Sequence, residues 1–347
     1  MNNSIIDEDI KSVKESGFIN FEALNKSNFL VTGASGMLCS FVIKALLQIT
    51  SGKVFVVFRN KERFDALFSE FSRNPKLIAI ESDISTFDHN IIKDEIDYII
   101  HGASVGSPTS YMKDPLDVFR ANCIGMLKLL ELAEVKQVKN IAFISSASVY
   151  GDVGGIENVG EDYIGSLDQL DIRSCYSESK RMAENILASW CKVNNKNFSI
   201  IRPFHTYGPG MRMDDGRIFA DLVDSVVNQK DIVVNSDGSA VRAFCYIADF
   251  TTALLAIISS KYPNQAWNVG SSQDAISIID LAHIVSNIMP DLKVNVVTAT
   301  KGGAKSSGIN RVVPDVTKLS RLGWRGKFDL KSGFKRTITH YLLNKQH

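Results

Sequence analysis

Tyr176-Ser177-Glu178-Ser179-Lys180 sets a phenol and an ammonium four residues apart. On a helix that spacing puts both side chains on one face, one turn from each other. The pair has a chemical use. A free tyrosine ionises near pH 10, too high for an efficient base at neutral pH, and a neighbouring cation stabilises the phenolate. Lowering the pKa by about three units takes about 4 kcal/mol, which close charges in a partly dry site can supply. Upstream, Ile144-Ser145-Ser146-Ala147-Ser148-Val149-Tyr150-Gly151 leaves an apolar run and enters a loop. Ser146 there either donates to a substrate oxygen while Tyr176 takes its proton, or simply caps the loop.

YxxxK occurs by chance in many helices, and its weight here comes from its place downstream of a glycine turn. Thr32-Gly33-Ala34-Ser35-Gly36-Met37-Leu38-Cys39 lies between an apolar strand and the first long helix. That is where a dinucleotide fold needs small residues, because the turn is tight and the backbone approaches the pyrophosphate. The free N–H groups of the helix then face the phosphates. Cys39 stands where the third glycine of the pattern would be. The second strand ends Val56-Val57-Phe58-Arg59-Asn60. NAD-binding versions place Asp or Glu here for the ribose hydroxyls, whereas Arg can hold a 2′-phosphate. Phe58 occupies the acidic position and Arg59 follows, so the expectation leans to NADP over NAD; otherwise Arg59 is a solvated charge. Asp83, in Glu81-Ser82-Asp83-Ile84, either bonds the adenine amino group or caps a helix.

The elements that must position these residues follow a strand–helix rhythm. Strands are expected at 28–32, 53–58, 76–80, 98–101 and 140–145, with helices over 37–50, 61–73 and 116–135. Short, nearly continuous apolar strands alternating with helices indicate a parallel sheet covered on both faces, hence a doubly wound α/β (Rossmann) fold. Ligands in that fold sit at the carboxyl ends of the strands. Residues 1–27 read as a short polar helix or arm, and 28–203 as the dinucleotide-binding domain. From 204 to 347 the expectation is a smaller, interleaved substrate-binding domain, with a strand at 266–269 returning to the main sheet.

Composition excludes several classes. Lysines plus arginines (39) nearly balance aspartates plus glutamates (38), so no global field recruits nucleic acid or an anionic membrane. Five scattered cysteines with no CxxC pairing give neither a disulfide framework nor a metal site, and fit a reducing compartment. The acidic N-terminus lacks an apolar h-region and no apolar run approaches a membrane span, so the cytoplasm is expected.

TGASGMLC, HGAS (101–104), Asn122, SSASVYG, YSESK, RPFHTYGPGMRMDDGR (202–217), VRAFCYIAD (241–249) and NVG (268–270) stand in an order that resembles the extended short-chain dehydrogenase/reductases. Within them the chain is similar to the nucleotide-sugar epimerases, dehydratases and decarboxylases, nearest the UDP-glucuronate decarboxylase and 4-epimerase branch. The resemblance spans roughly residues 28–340 and implies roles for individual residues. Tyr176 would be the base, Lys180 its electrostatic partner and ribose ligand, and Ser146 the orienting hydroxyl. The cofactor site would comprise Gly33, Ser35, Gly36, Met37, Arg59, Asn60, Asp83, Ile84, Ala103, Ser104, Asn122, Tyr176, Lys180 and Pro203. Arg242 would pair with a substrate diphosphate, assisted by Arg217, and His205 and Ser146 would face the sugar. A homodimer through the helices at 116–135 and 176–194 is implied as well.

Departures from the family pattern sharpen the reading. The dehydratases and the decarboxylase carry an acidic residue after the catalytic hydroxyl, and dehydration needs it to protonate the departing group. Ala147 and Ser148 cannot serve, which argues against both 4,6-dehydration and decarboxylation. His205 replaces the usual asparagine of the substrate loop. The expected activity is therefore a 4-epimerase working through a transient 4-keto sugar. The alternatives are an NADPH-dependent 4-ketoreductase and a non-catalytic dinucleotide-binding protein, the last of which would have lost the Tyr, Lys or Ser.

Overall fold

In the computed structural model, residues 4–298 and 311–345 are described. Residues 1–3, 299–310 and 346–347 belong to the expected arm and C-terminal portion and lie outside the described residues.

The first half alternates strand and helix. After α1 (Ile5–Lys14) and α2 (Phe21–Leu24) come β1 (Phe29–Thr32), α3 (Met37–Ile49), β2 (Val54–Phe58), α4 (Lys61–Phe68), β3 (Leu77–Glu81) and β4 (Tyr98–His101). Next are α5 (Pro108–Tyr111), α6 (Pro115–Phe119), α7 (Gly125–Val135), β5 (Asn140–Ile144), α8 (Ser174–Asn194) and β6 (Phe198–Pro203). The second half is more broken: β7 (Thr206–Tyr207), α9 (Ile218–Val227), β8 (Ile232–Val234), β9 (Val241–Ala243), β10 (Cys245–Tyr246), α10 (Ile247–Ile258) and β11 (Gln265–Val269). It ends with β12 (Ala275–Ser277), α11 (Ile278–Ser286), β13 (Val296–Thr298), β14 (Arg311–Val312), α12 (Thr317–Ser320) and α13 (Leu330–Lys345).

Seven strands form one sheet in the order β11-β6-β5-β4-β1-β2-β3, all parallel. The fold class is thus the doubly wound one, with its switch point between β1 and β4. Side chains alternate between two cores, as the period of a strand requires. Phe29, Val31, Val54 and Val56 face one core with α3 and α10. Leu30, Phe55, Val57, Ile99 and Ile141 face the other with α7 and α8. The strand expected at 266–269 is β11, paired in parallel with β6. β6 itself has no counterpart in the sequence expectation, because its apolar stretch runs straight into Arg202 and Pro203.

Two further elements differ from expectation. The single helix at 116–135 is interrupted by a π-helical turn, Arg120–Ile124, carrying Asn122; such turns favour functional regions. The N-terminal arm is an amphipathic helix rather than a polar one. Ser4 and Asp7 form a capping box on α1, whose Asp9, Ile10 and Val13 are buried. Asp9 accepts from Tyr246 Oη at 2.6 Å and from Arg336 Nε at 2.7 Å, fastening α1 to the second half of the chain.

Candidate active site

A cleft of about 690 Å³ opens along the carboxyl ends of the sheet. β1 delivers the glycine turn. Gly33 takes φ +78°, a conformation glycine adopts without penalty, and a Cβ there would lie 2.7 Å from the backbone nitrogen of Ala103. Gly36 is the N-cap of α3 and supplies no side-chain cap bond, so the first N–H groups of the helix remain available to a ligand. Cys39, buried behind the turn, fills the space that a side chain on Gly102 would need. The ends of β1 and β4 are tied by Thr32 Oγ1 to His101 Nδ1 at 2.7 Å. Burial, and then the Lys180 charge, push the His101 pKa down to about 3, so this bridge stays neutral.

β5 and α8 bring the hydroxyl, the phenol and the ammonium together. Ser146 begins a short 3₁₀ turn and its Oγ accepts from Ser148 N at 3.2 Å, so the capping role is present alongside a place in the cleft wall. Tyr176 and Lys180 stand one turn apart on α8. Lys180 is 2% exposed, donates to Ile144 O at 2.7 Å, and lies 5.8 Å from the Tyr176 ring centre. Burial draws the Lys180 pKa down to about 7, so the ammonium is itself poised near neutrality. Burial raises that of Tyr176, against a hydrogen bond with Ser146 and the Arg217 charge. The phenol therefore keeps its proton in the ligand-free site, and a further cation is needed to make it a base.

The far side of the cleft comes from the second half of the chain. His205 sits at φ +24°, with Nδ1 3.2 Å from the Ala243 carbonyl. Burial first, then Arg242 and Arg217, push its pKa down to about 4. Arg217 donates through Nε to Asp215 at 2.8 Å and stacks on Phe219. Ser104 Oγ and Ser148 Oγ, both in the cleft wall, are buried without a protein partner among the described residues. Orphaned hydroxyls of this kind are normally satisfied by a polar ligand or water.

Of the residues singled out from the sequence, the cleft wall includes Gly33, Ser35, Gly36, Met37, Arg59, Asn60, Asp83, Ile84, Ala103, Ser104, Ser146, Tyr176, Lys180, Pro203, His205 and Arg217. Two are placed differently. Asn122 is buried behind the wall, where its amide donates to Ser179 Oγ at 2.9 Å; the π-turn directs it at α8 instead of the cleft. Arg242 lies on β9 outside the wall and donates to Val241 O at 2.9 Å, with its pKa lowered by burial. Its charge is felt in the cleft at His205. Asn60 and Asp83 serve as caps as well, accepting from Arg63 N at 2.8 Å and Ser85 N at 2.8 Å.

Sequence reasoning missed several neighbours. Tyr111 stacks on Tyr176 with ring centres 5.6 Å apart, and Gly106 lies beside the Tyr176 hydroxyl, where a Cβ would sit 4.0 Å from it. Arg63 donates to Ser35 O at 2.6 Å and to Gly210 O at 3.2 Å; its position one turn beyond Arg59 was the available signal. Glu184 continues the Tyr176–Lys180 face. It accepts from Ser145 Oγ at 2.5 Å and from Arg202 Nη2 at 2.6 Å.

The free helix end, the side-chain-less turn and the unpartnered hydroxyls suit a dinucleotide, and the sheet is of the kind that carries one. A doubly wound sheet with a glycine turn and a Tyr–Lys–Ser set is the architecture of a nicotinamide-dependent short-chain oxidoreductase. Residues 29–270 match the model of the NAD dependent epimerase/dehydratase family, and the chain belongs to that family of enzymes. It is 28% identical over 306 residues to UDP-glucuronic acid decarboxylase 6 of Arabidopsis thaliana, covering 88% of this chain and 85% of that one. UDP-glucuronic acid 4-epimerase from Bacillus cereus, solved with UDP-glucuronic acid and NAD, superposes with TM-score 0.78 at 23% identity, over 92% of this chain and 100% of that one. Epimerase Mth375 from Methanothermobacter thermautotrophicus gives TM-score 0.83 at 20% identity, over 94% and 95%. These two likenesses are of fold. Among the described residues no helix is long and apolar enough to cross a membrane.

Proposed function

We propose that the protein is a nucleotide-diphosphate-sugar 4-epimerase. The nicotinamide, when bound, supplies the hydride acceptor and donor, and its positive charge is the further cation that Tyr176 lacks. Tyr176 then takes the proton of the C4 hydroxyl while Ser146 donates to the same oxygen. Lys180 holds the phenolate electrostatically, and Tyr176 returns the proton once the keto sugar has presented its other face. Arg217, with Arg242 behind it, supplies the positive field for a diphosphate, and His205 borders the sugar as a neutral imidazole.

One observation carries this choice over dehydration or decarboxylation. The carboxylates of the cleft wall among the described residues are Asp83 and Asp215, and each is paired with an arginine. Among the described residues no free acid lines the cleft beside Ser146, where Ala147 and Ser148 follow. The chain's similarity to decarboxylases makes that the competitor to exclude. Incubation with UDP-glucuronic acid should yield its C4 epimer with no net change in nicotinamide redox state; carbon dioxide release would overturn the proposal. Steady NADPH consumption with a 4-keto sugar would establish the ketoreductase instead.

The cofactor proposed is NAD. The lean to NADP rested on Arg59 as a free cation, and Arg59 is engaged by two carboxylates. We also propose a homodimer through α6, α7 and α8. Its support is the exposed apolar set Leu116, Leu127, Met182 and Val193 on those helices.

A further inference from the structure

Three charges share one contact where the adenosine would lie. Arg59 Nη1 donates to Asp83 Oδ2 at 3.1 Å and to Asp117 Oδ1 and Oδ2 at 3.0 and 3.1 Å. Arg59 and Asp83 line the cleft. Asp117, on α6, reaches it through Arg59 alone, and among the described residues its carboxylate bonds nothing else. The trio therefore carries one net negative charge. Of the neighbouring guanidiniums, Arg63 is committed to the Ser35 and Gly210 carbonyls and Arg212 is paired with Asp214.

This arrangement treats two ribose substituents differently. A 2′-hydroxyl is a neutral donor, and the Asp83 carboxylate can accept from it. A 2′-phosphate brings almost two negative charges; it meets a net negative cluster and competes with two carboxylates for one guanidinium. Asp117 is the member that makes the sum negative without touching the ligand. We propose that Asp117 is a specificity-determining positioning residue, holding Arg59 out of the service of a 2′-phosphate and so setting the protein for NAD. The inference rests on the dinucleotide reading of the cleft.

The test is titration calorimetry of the full chain, freed of co-purifying nucleotide, with NAD⁺ and NADP⁺ at low salt. The wild type should prefer NAD⁺. In Asp117→Ala and in the gentler Asp117→Asn, NADP⁺ should bind about tenfold tighter, the effect of removing one charge roughly 6 Å from a dianion in water-like dielectric. NAD⁺ affinity should stay within about twofold, Asp117→Glu should keep the wild-type ratio, and the gain should shrink near 0.5 M salt. An unmoved ratio, or a parallel fall for both nucleotides as a merely structural role requires, would overturn the assignment to Asp117 while leaving the dinucleotide site standing. A wild type that binds neither nucleotide would sink that reading and this inference together.

Discussion

Arg59 and Arg242 stand towards opposite ends of the ligand-binding region, and their surroundings have opposite character. At the end of β2, burial works against the Arg59 charge, but Asp117 and Asp83 outweigh it and raise its pKa. On β9, burial lowers the pKa of Arg242, and its charge together with that of Arg217 is felt at His205 as proton repulsion. At one end two carboxylates hold a single guanidinium; at the other, guanidinium charges press on a buried imidazole. The same residue type thus does different work, decided by which carboxylates the fold brings to it. Between the two ends sit Tyr176 and Lys180, the groups whose chemistry both fields serve.

The largest effect expected is at that midpoint. Tyr176→Phe should lower kcat by about 10³-fold, as loss of a positioned acid–base requires, with affinities for NAD⁺ and nucleotide sugar little changed. Undiminished turnover would remove the premise that the two ends flank a reaction centre. Next, Lys180→Met should abolish turnover yet stabilise the ligand-free protein. Its pKa falls to about 7 in the folded state from about 10.5 unfolded, so the folded chain bears a burial cost that is full below pH 7 and fades as pH rises towards 10.5. The lost bond to Ile144 offsets part of this, leaving about 3 kcal/mol at pH 6 and less at pH 9. Chemical denaturation at both pH values measures it, and destabilisation at pH 6 would contradict the sign.

Arg242→Gln comes third and bears on the comparison directly. Affinity for UDP should fall about threefold to tenfold, the effect of removing one charge from behind the cleft wall, while NAD⁺ affinity stays constant. A matching loss of NAD⁺ binding would show that the two ends are not electrostatically separate.

How far this was legible in the sequence follows from the range of the interactions. The sheet was readable because Phe29–Thr32 and Val54–Phe58 are apolar runs bounded by polar turns, a local signal. So was the glycine turn, since positive φ at Gly33 is a property of the chain itself. β6 escaped because Ser199, Arg202 and Pro203 interrupt its apolar character, although Arg202, half-buried, is paired with Glu184. The π-turn at Asn122 escaped because the apolar period runs through it. The environment of Arg59 was beyond reach: its partners lie 24 and 58 residues away, and only tertiary structure brings Asp83 and Asp117 to one guanidinium. The lowered pKa of Lys180 was beyond reach for the same reason, because burial on α8 is not written in the YxxxK spacing.

The smallest expected effect concerns His205 and gauges the positive field at the sugar end. Its folded pKa is about 4 against about 6.5 in an unfolded chain. Between those values the unfolded state binds a proton that the folded state refuses, so stability falls as pH drops from about 6.5 to about 4 and levels off below. The share due to His205 is at most about 3 kcal/mol, and nearer 1 kcal/mol once relaxation around the ring is allowed. His101 and His340 are depressed too, so the informative quantity is the difference between wild type and His205→Asn, which keeps a polar group and tolerates positive φ. The variant should lose less stability than wild type between pH 6.5 and 4.5. Saturating UDP should narrow that gap, because a diphosphate beside Arg217 would cancel part of the charge that expels the proton. A gap that UDP leaves untouched would place the anion away from this end and transfer the asymmetry from ligand binding to the fold itself.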